Sequence, residues 1–166
     1  FMGIQATGRR FCIIADRSGS MAGAKMEYVK EEVLETLSTM HSGARFQLIF
    51  FNSRELPFPE TGWQHPRTKR DAVETWLKTF EGAGGTSPTP AFKVAFGLSP
   101  RPDVIFFMTD GLFHPSVVPT IARLNNRLGN RKTRIHTISF MDTSAASLMQ
   151  QIADESGGKY RHVSGF

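Results

Sequence analysis

Phe11-Cys12-Ile13-Ile14-Ala15-Asp16-Arg17-Ser18-Gly19-Ser20 is the stretch on which the fold turns. Its first five residues are apolar without interruption, the pattern of a strand buried on both faces, and such strands belong to parallel sheets. The sequence then changes to a carboxylate and two hydroxyls at alternate positions, Asp16, Ser18 and Ser20. On a loop leaving a central strand they are three hard oxygen donors in one small volume, a set that suits Mg2+ or another hard divalent cation.

Outward from this strand, strand-like and helix-like segments alternate. Met26, Val29, Val33, Leu37 and Met40 recur every three or four residues, with Lys30, Glu31, Glu32 and Glu35 between them, and predict an amphipathic helix over 24–40. A second strand is expected over 44–51, and Asn52-Ser53 turns into a short third strand, 54–58. That hairpin makes the third strand antiparallel and sets it at an edge, where Pro57 and Pro59 are tolerated. A helix over 67–80 carries Ala72, Val73, Trp76, Leu77 and Phe80 on one side, and Pro88 and Pro90 suit the first turn of another, 88–97. Then follow a strand over 103–109, a helix over 115–128 with Val118, Ile121, Leu124 and Leu128 inward, and a strand over 134–140. The last pair is a helix over 144–156, ended by Gly157-Gly158, and a strand over 159–163.

This order predicts an α/β fold: a doubly wound, Rossmann-like three-layer α/β/α sandwich whose six-stranded, mostly parallel sheet has one antiparallel edge strand. Ligands of such sheets bind beyond the carboxyl ends of the strands, where the winding direction reverses. The loop with Trp63 and His65 falls at the other end, so these two are poor candidates for the primary site.

Two further stretches complete a candidate site. Gly82-Ala83-Gly84-Gly85-Thr86 brings a hydroxyl on a glycine-rich turn, and Val104-Ile105-Phe106-Phe107-Met108-Thr109-Asp110-Gly111 brings a second carboxylate at the mouth of another apolar strand. Plainer readings exist for each position. Asp16 and Ser18 are residues that cap helices, Thr86 is an ordinary turn residue, and Asp110-Gly111 is a common turn pair.

Taken together, Asp16, Ser18, Ser20, Thr86 and Asp110 resemble the metal-ion-dependent adhesion site of the von Willebrand factor type A family, D-x-S-x-S followed by a threonine and an aspartate in that order. The resemblance covers about residues 9–163 of one domain expected over 1–166; residues 1–8, an N-terminal extension outside it, are unassigned, with an added edge strand or a hold on a neighbouring domain as the two roles open to them. The resemblance implies that Ser18, Ser20 and Thr86 bind Mg2+ directly, with Mn2+ or Ca2+ as alternatives, while Asp16 and Asp110 act largely through water. The implied ligand is an Asp or Glu side chain of a partner protein, received by a rim of Arg17, Asn52, Arg54, Phe113, His114 and Met141. Each of these six is equally readable as an ordinary solvated loop residue.

With 166 residues, 40% of them hydrophobic, the chain is long enough for one domain with a substantial core. Its single cysteine, Cys12, allows no internal disulfide and reads as a small core residue. The net charge of +5 is spread along the chain, so nucleic acid is not an expected partner. No apolar run suggests a transmembrane segment. The start at Phe1-Met2 reads as a piece of a longer protein, either cytoplasmic or tethered to a membrane through its parent chain.

The runner-up is a phosphotransfer hydrolase of the haloacid dehalogenase type, which also places an Asp after its first strand. That chemistry needs a second Asp two residues on, where this chain has Ser18. Neither a nucleotide-binding G-x-x-x-x-G-K-[ST] loop nor a G-x-S-x-G elbow is present, and His41, His65, His114, His136 and His162 have no metal-type spacing. A non-enzymatic interaction module is the reading taken, with a structural assembly domain as a further alternative.

Overall fold

A computed structural model describes residues 1–127, 129 and 131–166. Six strands form one sheet: β1 Arg10–Asp16, β2 Arg45–Phe51, β3 Glu55–Pro57, β4 Val104–Thr109, β5 Arg134–Phe140 and β6 Tyr160–Val163. Their spatial order is β3-β2-β1-β4-β5-β6, and only β3 runs antiparallel to its neighbour. The chain winds from β1 towards one edge and returns through β4 towards the other. The reversal therefore lies between β1 and β4, where a doubly wound sheet opens a crevice at its carboxyl edge.

Side-chain alternation along the strands divides the interior in two. Phe11, Ile13 and Ala15 of β1 join Phe46, Leu48 and Phe50 under α1 (Ala24–Thr39) and α2 (Pro66–Leu77). Cys12 and Ile14 point the other way, with Phe51 and Phe107, under α3 (Thr89–Phe96), α4 (Val117–Asn126) and α5 (Ala146–Ser156). Phe46, Phe50, Phe51, Phe92, Phe107 and Phe140 are fully buried. Each such ring contributes about 1.5–3 kcal/mol of transfer free energy. Cys12 is sealed in this interior, and burial pushes its thiol pKa up.

Local chemistry explains where the elements differ from expectation. α2 begins at Pro66 because His65 Nδ1 accepts the Arg67 amide at 3.3 Å, and it stops at Leu77, short of residue 80. Thr79 ends it, since its amide and its hydroxyl both donate to the Trp76 carbonyl, at 3.0 and 2.6 Å. Phe80 still packs inward, 4.8 Å from Phe50. β3 is only three residues long, and α4 starts at Val117 because the Val117 amide bonds to His114 O as a turn. The expected inward Leu128 lies outside the described residues.

One of the two roles expected of residues 1–8, an added edge strand, is corrected. They add no strand to the sheet, and Met2 and Ile4 are buried in the core beneath α1. The Phe1 ring meets Phe106 edge-on at 5.8 Å, and the Met2 amide donates to Glu32 Oε2 at 3.0 Å. Apolar side chains at 1, 2 and 4 have more to gain under α1 than along a solvated edge.

Candidate metal centre

The site begins where β1 ends. Asp16 is fully buried; its Oδ1 accepts the Ser18 amide at 2.7 Å and its Oδ2 accepts the Thr109 hydroxyl at 2.6 Å from neighbouring β4. Burial pushes the Asp16 carboxyl up, the hydrogen bonds from Thr109 and Ser18 work against that rise, and nearby Asp110 adds to it. A carboxylate held in this way favours a neighbouring cation.

Beyond Asp16 the chain makes a short 3-10 turn, Gly19–Met21, before α1. The turn brings the Ser18 and Ser20 hydroxyls within 3.2 Å of each other, and Ser20 Oγ donates to Asp110 Oδ1 at 2.7 Å. Helix capping does not account for these residues: α1 is capped by Gly23, and the Ser18 side chain makes no cap bond to the turn that follows it. A continuous polar run thus extends from Thr109 through Asp16, Ser18 and Ser20 to Asp110.

The third loop is tied to the first by its backbone. Gly19 N–H donates to Gly84 O at 2.9 Å, and Ala83 N–H donates to Arg17 O at 2.7 Å. Glycine is required for so close an approach: a Cβ on Gly82 would lie 2.5 Å from Ala22 N, and Gly84 has φ +83. Thr86 sits half-buried just beyond, but among the described residues its hydroxyl has no hydrogen-bond partner within the chain. The hydrogen-bonded run therefore joins four of the five expected donors, and Thr86 lies outside it.

The rim is only partly as expected. Arg17 lies across the Phe80 ring, 5.6 Å from its centroid, and donates to Glu81 O at 3.2 Å. Both ends of the Asn52 carboxamide are engaged in loop bonds, with Ala83 O and with the Arg54 amide. Arg54 and His114 are exposed, as is Met141, whose φ is +67. Phe113 is corrected: it turns inward, 5.6 Å from Phe107, and adjacent Leu112 is the exposed apolar residue, at 60%. A loop carries no periodicity to tell the inward residue from the outward one.

Two participants escaped sequence reading. Thr109 orients Asp16, and Lys25 Nζ lies 2.8 Å from Asp110 Oδ2, whose side chain is 1% exposed. Among the described residues no group of three or more His, Cys, Asp and Glu converges, so two carboxylates and neighbouring hydroxyls are the donor chemistry on offer. This is an all-oxygen set, and it fits Mg2+, Mn2+ or Ca2+ better than a soft metal. Trp63 and Gln64 lie at the far end of the sheet, with Trp63 Nε1 donating to Pro100 O and Gln64 bridging Phe46.

A doubly wound sheet with a Ser/Asp oxygen cluster at its switch point defines a class of α/β modules. The family model described as the von Willebrand factor type A domain matches residues 10–162, and the chain belongs to that family. Domains of this family are generally protein-interaction modules. The chain is 27% identical over 169 residues to von Willebrand factor A domain-containing protein 5A of Rattus norvegicus, an alignment that covers 93% of this chain and 20% of that protein. It spans between 20% and 37% of the length of the curated relatives it matches. Among solved structures it superposes on a von Willebrand factor type A protein from Catenulispora acidiphila with a TM-score of 0.81 at 20% identity, covering 95% of this chain and 39% of that one. Proximal thread matrix protein 1 of the mussel byssus, solved with zinc in its metal-ion-dependent adhesion site, gives 0.71 at 15% identity, covering 93% and 41%. No helix among the described residues is long and apolar enough to cross a membrane.

Proposed function

We propose that residues 1–166 act as one adhesion-type domain that holds a divalent cation, Mg2+ first, and through it binds an Asp or Glu side chain of a partner protein. The observation that carries this reading is the hydrogen-bonded run from Asp16 to Asp110 across two neighbouring strands. When bound, the cation supplies an electrophilic centre with room for one carboxylate oxygen. Ser18 and Ser20 present neutral oxygens to it, and Thr86 is the third such donor, on a loop already tied to the first. Asp16 and Asp110 act through water and offset the charge. Arg54, Leu112, His114 and Met141 receive the flanks of the partner, while Arg17 and Asn52 hold the loops that carry the donors.

Mn2+ and Ca2+ suit the same donors, and the mussel protein with zinc in the corresponding motif supports a site tolerant of several ions. A hydrolase reading has less support, because position 18 offers a serine whose amide is already bound to Asp16. The test is thermal melting with and without millimolar Mg2+. A rise in Tm that Ser20→Ala abolishes is expected; no rise in the unmutated protein, or Mg2+-dependent phosphatase turnover lost on Asp16→Ala, defeats the proposal.

A further inference from the structure

Lys25 is the second residue of α1, in the first helical turn, where the dipole of the helix disfavours a cation. What holds it there is Asp110: Nζ lies 2.8 Å from Oδ2, and among the described residues this is its one hydrogen-bond partner. The other oxygen of Asp110 accepts from Ser20, so both are engaged. Lys30, one helical turn on, is different in kind. It is held at once by Phe80 O at 2.8 Å, Glu27 at 3.3 Å and Glu81 at 3.7 Å, and its side chain is 9% exposed. The Lys25 side chain is 30% exposed and hydrogen-bonded at its tip to Asp110 alone among the described residues.

We infer that Lys25 is an internal counter-ion of the metal-free site, one that must leave Asp110 before a divalent cation settles beside it, so that this lysine limits how tightly the domain takes metal. The inference rests on the metal-binding reading proposed above. An ammonium and a divalent ion a few ångströms apart repel strongly when both face a carboxylate with little solvent around it. Asp142, exposed on the loop after β5, has its pKa held down mainly by the Ser144 hydroxyl and amide, with smaller attractions from Lys25 and His162. Lys25 therefore already feels a carboxylate outside the site.

The experiment is a Mn2+ titration followed by electron paramagnetic resonance on the unmutated protein, Lys25→Met, Lys25→Arg and Asp110→Ala. It is paired with mass-spectrometric measurement of Lys25 acetylation in the unmutated protein. Lys25→Met is expected to bind Mn2+ about tenfold more tightly and to melt lower without metal, while Lys25→Arg stays near the unmutated values. Acetylation of Lys25 is expected to rise as Mn2+ saturates the site. If Asp110→Ala abolishes Mn2+ binding but Lys25→Met binds no more tightly, or if acetylation stays flat, this inference falls and the metal site stands. If neither the unmutated protein nor Lys25→Met binds Mn2+, both fall together.

Discussion

The two ends of the sheet treat their carboxylates in opposite ways. At the amino end Asp103 takes the amides of Arg9 and Arg10 on one oxygen, at 2.8 and 2.9 Å, and the guanidinium groups of Arg10 and Arg131 on the other, at 3.6 and 3.3 Å. Burial alone would raise Asp103, but the amides of Arg10 and Arg9, and then the two guanidinium groups, outweigh it and hold the carboxyl below its usual range. At the carboxyl end Asp16 has one donor on each oxygen and is pushed up. A carboxylate has room for about four donors. Saturation at the amino end makes Asp103 a fixture of the fold, whereas Asp16 keeps acceptor capacity in reserve.

Breaking the saturated end should cost most. Asp103→Ala orphans two backbone amides and removes the carboxylate facing Arg10 and the exposed Arg131, and is expected to lower stability by about 3 kcal/mol, read as a lower urea midpoint with the Mg2+ response unchanged. A lost Mg2+ response would mean that the two ends are coupled. Next in size is the effect of metal: Mg2+ at about a hundred times its dissociation constant should add about 2.7 kcal/mol, a gain that Ser20→Ala or Asp110→Ala removes. Calorimetric melts with and without Mg2+ measure it.

A third effect belongs to the amino half of β5. His136 Nδ1 accepts the Lys159 amide at 2.9 Å, so the folded state needs that nitrogen unprotonated. Burial first, then Arg134, Lys159 and the terminal ammonium, lower its pKa from 6.5 to about 4. The unfolded chain takes up the proton sooner, so this contribution is complete above pH 6.5 and is lost as pH falls towards 4. Roughly 2 kcal/mol should have disappeared by about pH 5, and His136→Asn should flatten the profile of denaturant midpoint against pH. Smallest is Thr86→Ala, expected within about 0.5 kcal/mol of the unmutated protein in stability. Its effect should appear instead as weaker Mg2+-dependent capture of a Glu-bearing peptide in a binding titration, which sharpens the distinction between holding the fold and serving the site.

Much of this was legible in the sequence because donor placement follows strand ends. The apolar runs before Asp16 and Asp110 mark two buried strands, and a doubly wound order puts their ends side by side. The rest depended on contacts that spacing does not encode. Lys25 meets Asp110 across 85 residues of chain, and Thr109 meets Asp16 across 93. Phe113, expected on the rim, is buried, and its neighbour Leu112 is exposed in a loop where a single step decides exposure. The burial of Met2 and Ile4 was hidden for a different reason: four residues are too few to show a period, and only the finished surface of α1 reveals what they cover.

Cys12, deep in the first strand, has a practical consequence. It is the chain's single thiol, wholly enclosed and with its ionisation suppressed by burial. A maleimide dye or spin label added to the native protein should pass it by, so a cysteine engineered at an open position such as Arg54 would become the one reactive handle beside the candidate site. The molecule comes ready for distance spectroscopy without prior removal of its own sulfhydryl.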